Sequence, residues 1–159
     1  MTAPTPTPRG TPSGIMLENS YQVLITFGNN PTLCLWEKDV QPNGVDNGDP
    51  IDETTQHNEG LRTKAPRALN DITNGKTKVA YDPEMYDEAF TQCGKVTTVT
   101  YWLPDGSSLA LYGYMKSFIP AGLSGDGTQP EADIEIVATN RDPITKEIEL
   151  PVLTSAVGT

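Results

Sequence analysis

The segment Leu103-Pro104-Asp105-Gly106-Ser107 constrains this chain more than any other, because the β-rich runs Val96 to Leu103 and Ser108 to Met115 meet across it. An Asp-Gly between two such runs is the strongest short-range hairpin signal. With Asp105-Gly106 as a two-residue turn, Trp102 faces Leu109 and Thr100 faces Leu111 on one side. Tyr101 then faces Ala110 and Val99 faces Tyr112 on the other, so both faces carry bulky groups.

Further strands follow from period-two patterns. Tyr21, Val23, Ile25 and Phe27 alternate until Gly28-Asn29-Asn30-Pro31 breaks the run, and Leu33-Cys34-Leu35-Trp36 follows at hairpin distance. Asn74-Gly75 is a turn signal before a strand that sets Thr77, Val79 and Tyr81 on one face. From Ala132 to Thr139, the apolar Ala132, Ile134 and Ile136 alternate with Asp133 and Glu135, one side core and the other charged. A single helix is expected over about residues 83–93: Asp82 can cap it, Pro83 opens it and Gly94 stops it. Tyr86, Ala89, Phe90 and Cys93 form its apolar stripe. Residues 1–14, rich in Pro and Thr, read as a flexible arm. Residues 38–60 read as a long polar loop with too few apolar groups to bury itself, whose role is to touch something else.

Composition agrees with turn-rich β structure. Fourteen Pro and fourteen Gly in 159 residues exceed average usage without reaching a disordered composition. The formal charge of −10 argues against gripping a nucleic-acid duplex. The N-terminus has neither a basic region nor an apolar core of a signal peptide, and no stretch approaches the ~18 apolar residues of a membrane helix, so a soluble protein without membrane partners is expected.

Catalytic patterns are missing. Cys34 and Cys93 form no C-x-x-C pair, which sets aside structural zinc; they are expected as reduced thiols, a disulfide needing an oxidising compartment. His57, the one histidine, lies among acids without further nitrogen or sulfur ligands and reads as an exposed loop residue. Leu123-Ser124-Gly125-Asp126-Gly127 lacks the flanks of a nucleophile elbow. No enzyme and no cofactor are expected.

Charge blocks are more informative. Glu37 to Glu59 holds seven acids and one base, whereas Arg62 to Lys78 holds five bases and one acid. Either the blocks pair within the chain as an exposed ion lattice, or the acidic block of one copy meets the basic block of another in a head-to-tail contact that makes rings or filaments.

The order of these pieces resembles the major tail tube proteins of tailed bacteriophages over roughly residues 15–143. The motifs carrying the resemblance are Ile51-Asp52-Glu53-Thr54-Thr55, Tyr81-Asp82-Pro83 before the helix, Leu103-Pro104-Asp105-Gly106-Ser107, and Gly113-Tyr114-Met115-Lys116-Ser117-Phe118. The N-terminal arm and the acidity of the long loop depart from the family pattern. Residues 144–159 would be a C-terminal extension. The resemblance implies a mainly β subunit, a β-sandwich or half-barrel with one flanking helix, whose inner strands close into a shared barrel in a ring. It further implies hexameric rings stacked into a virion tail, assembled in the host cytoplasm. Partners would be other copies of itself, a tape measure protein, a tail terminator and distal tail or baseplate proteins, with double-stranded DNA passing through the lumen without specific binding.

Placed on that frame, Asp133 and Glu135 are the lumen candidates, their negative charge repelling phosphate. Asp46, Asp49, Asp52, Glu53, Arg62, Lys64 and Arg67 are the ring-stacking candidates. Val99, Tyr101, Tyr112 and Tyr114 are the candidates for a β-face between subunits. Two other classes fit the residues: a carbohydrate-binding or adhesion module with Tyr101, Tyr112 and Tyr114 as an aromatic platform and calcium on Asp46, Asp49 and Asp52, or another virion or secretion-tube protein such as a tail terminator.

Overall fold

The structure, a computed structural model, describes residues 23–33, 35–80 and 82–155. The arm at 1–14, Tyr21, Cys34 and Tyr81 lie outside the described residues. Eleven strands and one helix are described in chain order: β1 (Leu24–Phe27), β2 (Glu37–Gln41), β3 (Val45–Asp46), β4 (Ile51–Asp52), β5 (Lys64–Ala65), β6 (Asp71–Ile72), β7 (Gly75–Ala80), α1 (Pro83–Gln92), β8 (Thr97–Trp102), β9 (Ser108–Pro120), β10 (Glu131–Ala138) and β11 (Val152–Thr154). No helix among the described residues is long and apolar enough to cross a membrane.

Seven strands make one antiparallel sheet in the order β1-β8-β9-β10-β7-β2, with β11 also on β9. Its length lets β9 serve two groups of strands. Residues 108–113 pair with β8 and 113–120 with β10, and Gly113 stands opposite both Thr97 and Ala138. A Cβ at Gly113 would lie 2.4 Å from the Val137 carbonyl oxygen, so only glycine permits this approach. The register then shifts at Lys116, a bulge that bends the strand so that Met115 and Phe118 both face inward. Bent in this way, the sheet encloses one core, and its two end strands come within a hydrogen bond of each other. The Ile25 amide of β1 donates to Glu37 Oε1 of β2 at 2.9 Å. Mainly β architecture, a half-barrel and one flanking helix are therefore what the chain adopts.

Alternation places the core as expected on three strands. Ile25 and Phe27, then Thr77 and Val79, then Ala132, Ile134 and Ile136 are buried. Burial of each large aliphatic or aromatic side chain contributes about 1.5–3 kcal/mol. Among the described residues, β1 pairs with β8 and not, as the hairpin spacing predicts, with the Leu33–Trp36 run. Leu33 and Leu35 are buried as a crossing segment that carries the chain from one edge of the sheet to the other, where β2 pairs with β7.

The 103–107 turn is a three-residue loop in place of the expected two. The Gly106 amide donates to the Leu103 carbonyl at 3.0 Å, the Leu103 amide to the Ser107 carbonyl at 2.9 Å, and Gly106 has φ 88°. Proline suits the second position of a type I turn, and glycine the left-handed residue after it. Register therefore slips by one: Tyr101 pairs with Leu109, Thr100 with Ala110 and Val99 with Leu111. A one-residue slip exchanges the faces. Val99, Tyr101 and Leu111 share the core, and Trp102 is exposed.

The helix ends at Gln92 and buries Met85, Ala89 and Gln92, with Tyr86 and Cys93 at the margin. Phe90, expected in the buried stripe, is half exposed. Its ring meets Tyr86 edge-on at 4.5 Å and Phe118 at 6.1 Å, which docks the helix against the far half of β9. Gln92 Nε2 donates to Asn29 Oδ1 at 2.9 Å, so its burial is satisfied. Cys93 is a free thiol, and burial raises its pKa. In the stretch read as a C-terminal extension, β11 adds to β9, pairing Val152 with Ala110.

Gly113→Ala is expected to destabilise the fold by about 1–3 kcal/mol, measured by urea denaturation, since a backbone carbonyl must move to admit the methyl group. Glu37→Ala is expected to cost about 1–3 kcal/mol by leaving the buried Ile25 amide without an acceptor. Burial holds the Glu37 pKa above the usual carboxylate range against the amide's pull downward. Native protein therefore binds more protons than unfolded protein between the two pKa values, and this group's contribution falls as pH rises through that window. Glu37→Gln, which keeps an acceptor without charge, should be the more stable chain at neutral pH. That advantage should vanish as pH falls through the raised Glu37 pKa.

Candidate functional site

Two surfaces stand apart from the core. The first is a hairpin arm formed by residues 43–73, built where a loose loop over 38–60 was expected. Residues 38–41 of that stretch belong to β2, a strand of the sheet. Beyond it, β3 pairs with β6 and β4 with β5, so the chain runs out along one side and returns along the other. Between these short ladders Asn47 replaces the backbone. Its Oδ1 accepts the Arg67 amide at 2.8 Å, and its Nδ2 donates to the Arg67 carbonyl at 2.9 Å. His57 is exposed near the tip.

The antiparallel arm also explains the two charge blocks, because it lays the basic block beside the acidic one. Asp52 stands opposite Lys64 and pairs with Arg62 at 3.6 Å. Arg67 Nε donates to the Asp49 carbonyl at 2.8 Å. Asp46 is turned to its own loop, accepting the Gly48 amide at 2.9 Å. Bonds from Thr54 lower the Asp52 pKa. Glu53 and Lys64 are exposed, and Glu53 gives its backbone amide to Thr63 across the arm. Exposed pairs of this kind contribute little to stability. The arm carries apolar groups outward as well: Val45 is 70% exposed, Leu61 83% and Leu69 84%.

One half-buried clasp fixes the arm to the half-barrel. The Tyr101 hydroxyl donates to Asn43 Oδ1 at 2.8 Å, and Asn43 Nδ2 donates to the carbonyls of Thr73 at 2.8 Å and Ile136 at 3.2 Å. Burial raises the Tyr101 pKa, which keeps the hydroxyl a donor. Gly75 is required here, since a Cβ would lie 2.4 Å from that hydroxyl and 2.7 Å from Asn43 Oδ1. The sequence shows Asn43 and Gly75 only as members of the Asn43-Gly44 and Asn74-Gly75 turn signals, with no sign of this contact. Both lie in turn dipeptides, which are common enough to hide a specific contact.

The second surface is the side of β2, β7, β10 and β9 away from the core, a shallow depression of about 430 Å³ lined by residues including Asp39, Lys76, Lys78, Ile119, Asp133 and Glu135. Asp133 is exposed and Glu135 half-buried, as the alternation of β10 predicts. In the sequence Lys76 and Lys78 count in the basic block, with nothing that places them beside these acids. Across the strands, Lys78 is flanked by Asp39 and Asp133, and Lys76 by Gln41 and Glu135. Lys38 pairs with Glu131, and Lys116 with Glu135 at 3.5 Å. The Glu135 pKa is lowered by Asn74, whose amide lies at 2.6 Å, and by Lys116 and Lys76. Four acids and four lysines share this face.

The tyrosines do not form one surface. Val99 and Tyr101, expected between subunits, are fully buried in the core because of the three-residue turn. Tyr112 and Tyr114 are half-buried on the opposite side, with the Tyr112 hydroxyl donating to Asp142 at 3.3 Å. An aromatic platform that includes Tyr101 is thereby removed. Among the described residues no group of three or more His, Cys, Asp or Glu is placed to hold a metal ion.

No family model and no curated protein matches the chain. Solved structures do. A sheath/tube terminator of the PVC extracellular contractile injection system, in its extended state, superposes with TM-score 0.62 at 11% identity, covering 90% of this chain and 100% of that one. A chain from the tail of an empty gene transfer agent particle, refined helically with C6 symmetry, gives TM-score 0.60 at 13% identity, covering 87% and 100%. A chain from the baseplate of the anti-feeding prophage, sixfold symmetrised, gives 0.59 at 8%, covering 94% and 99%. The half-barrel is thus the fold of tail and injection-system components, and at these identities it is the fold that is shared.

Asn43→Ala removes an acceptor from the Tyr101 hydroxyl and a donor from two carbonyls. A loss of about 1–3 kcal/mol in urea denaturation is expected. Amide hydrogen exchange should rise in residues 43–73 more than in β8 or β10, because the clasp holds the arm alone.

Proposed function

We propose that this protein is a structural subunit of a phage-type or injection-system tail tube. Hexameric rings of it would stack around a channel that encloses a tape measure protein during assembly and passes double-stranded DNA without specific binding. The observation that carries the reading is the arm. An ordered two-stranded projection with three strongly exposed apolar side chains has little use on an isolated protein, and outward apolar groups of this kind mark contacts between proteins. On this reading the arm, with Asp46, Asp49, Asp52, Glu53, Arg62, Lys64 and Arg67 along it, reaches the next ring. The face bearing Asp133 and Glu135 lines the channel. Tyr112 and Tyr114 remain available beside a neighbouring subunit, whereas Val99 and Tyr101 serve the subunit's own core. The sixfold symmetry of the similar gene transfer agent tail supports the ring. Its place is the virion tail, assembled in the host cytoplasm, next to a terminator and distal tail or baseplate proteins.

A second reading, the terminator that closes such a tube, is favoured by the likeness to the PVC terminator, whose whole chain is covered. Negative-stain microscopy of concentrated protein separates the two. Long hollow tubes are expected of a tube subunit, single rings of a terminator, and monomers at all concentrations would refute both. Replacing residues 46–71 by Asn-Gly joins Val45 to Ile72 at the point where they already pair. This variant should keep the urea transition of the half-barrel while forming no tubes. Normal tubes from it would remove the arm from ring stacking.

A further inference from the structure

The face that carries Asp133 and Glu135 is not acidic in sum. Asp39, Glu131, Asp133 and Glu135 are matched by Lys38, Lys76, Lys78 and Lys116, within a chain whose formal charge is −10. A face without net charge exerts little repulsion on a polyanion beyond the Debye length of about 8–10 Å. Its carboxylates act at closer range. Lys76 and Lys78 project from the same side of β7, about 7 Å apart along the strand, and each has a β10 carboxylate directly across the ladder. A phosphate group approaching either ammonium meets that carboxylate first.

We infer that Asp133 and Glu135 mask a lysine surface that would otherwise hold duplex DNA. On this account the two acids keep the sheet's own cations from binding phosphate, and long-range repulsion is not their task. The inference rests on the channel reading for its biological setting, since it is there that a polyanion would pass. The masking itself is a property of the single subunit. Other observations agree. Glu135 draws both Lys116 and the Asn74 amide, and the Glu131 pKa is lowered by Lys38 and Lys78, so the cations are engaged by acids of the same face. Ile119, across from Asp133, adds no charge that would compete.

The test uses the full chain and a short labelled DNA duplex, with binding read by fluorescence anisotropy. Three proteins are compared: wild type, Asp133→Asn with Glu135→Gln, and the same pair combined with Lys76→Gln and Lys78→Gln. Both acid substitutions keep a hydrogen-bonding oxygen. Wild type is expected to bind weakly. The double variant leaves four lysines against two acids on the face, and should bind at least about tenfold more tightly at ~50 mM salt. It should lose about tenfold in affinity between ~50 and ~200 mM, the slope of about two released counterions. The fourfold variant should return to wild-type binding. A double variant that binds no better than wild type would overturn the inference, as would a fourfold variant that keeps the tight binding of the double variant. The Asp133 side chain makes no hydrogen bond or ion pair among the described residues, so Asp133→Asn alone gives the same test with a smaller effect if the double variant does not fold. Free subunits suffice for this assay. A failure here leaves the tube reading intact, and a failure to form tubes leaves this result intact.

Discussion

Close approach at Gly113 governs the rest of the structure. One thirteen-residue strand has to pair with β8 along one part of its length and with β10 along another, and the point of exchange admits no side chain. With the Val137 carbonyl in the space a Cβ would take, β9 and β10 meet at this corner, and the bulge at Lys116 turns the remaining residues inward. The sheet then curves enough for the Glu37 carboxylate to reach the Ile25 amide, a side chain supplying the bond that a backbone ladder would supply in a closed barrel. Core, edges and the exit point of the arm all follow from that curvature.

Period-two patterns made β1, β7 and β10 legible in the sequence, because an apolar residue at alternate positions has one physical meaning on a half-buried strand. The hairpin at 103–107 was legible as a hairpin but not in its register. Asp-Gly alone reads as a two-residue turn, and it was the preceding Pro104, at home in the second position of a type I turn, that decided for three. The single residue of difference moved Val99 and Tyr101 from a supposed subunit contact into the core, so an error in one turn became an error in the candidate site. Leu33 and Leu35 failed for another reason. Alternation reports burial, and these residues are buried, but a crossing segment between two sheet edges buries alternate residues as a strand does. In the helix, Gln92 took a place that Phe90 was expected to fill, since the Asn29 amide offers a partner that no hydrophobic pattern can reveal.

The arm was hidden by its composition. Its ladders are two residues long and joined through Asn47, so no run of β-forming residues announces them. The adjacent blocks of opposite charge did hold the information: an acidic segment followed by a basic one folds back on itself most readily as a hairpin, which here sets Asp52 beside Lys64 and Arg62, although Asp46 stands across from Asp71. Pairing within the chain and contact between copies were posed as alternatives, yet the geometry lets both be served. The Arg62–Asp52 ion pair and the Asn47 bonds use polar groups along the arm, while Val45, Leu61 and Leu69 are left facing outward.

Whole-chain charge proved a poor guide to any one surface. Six acids and three bases lie between residues 43 and 73, and the outer face of β2, β7, β10 and β9 is balanced, so most of the excess acid lies on neither. Asp82, Glu84, Asp87 and Glu88, at and within the helix, contribute four acids without a base. Beyond β10, Asp142, Glu147 and Glu149 outnumber Arg141 and Lys146. On β10 itself, alternation identified the outward carboxylates correctly. One strand is not a surface, and the lysines of β7 stand directly across from both carboxylates. Charge on a sheet is set across strands, and β7 brings its lysines to the same face because Thr77 and Val79 must point to the core. The hydrophobic pattern of one strand thereby sets the electrostatics of its neighbour: burying residues 77 and 79 leaves no orientation for Lys76 and Lys78 except toward Asp133 and Glu135.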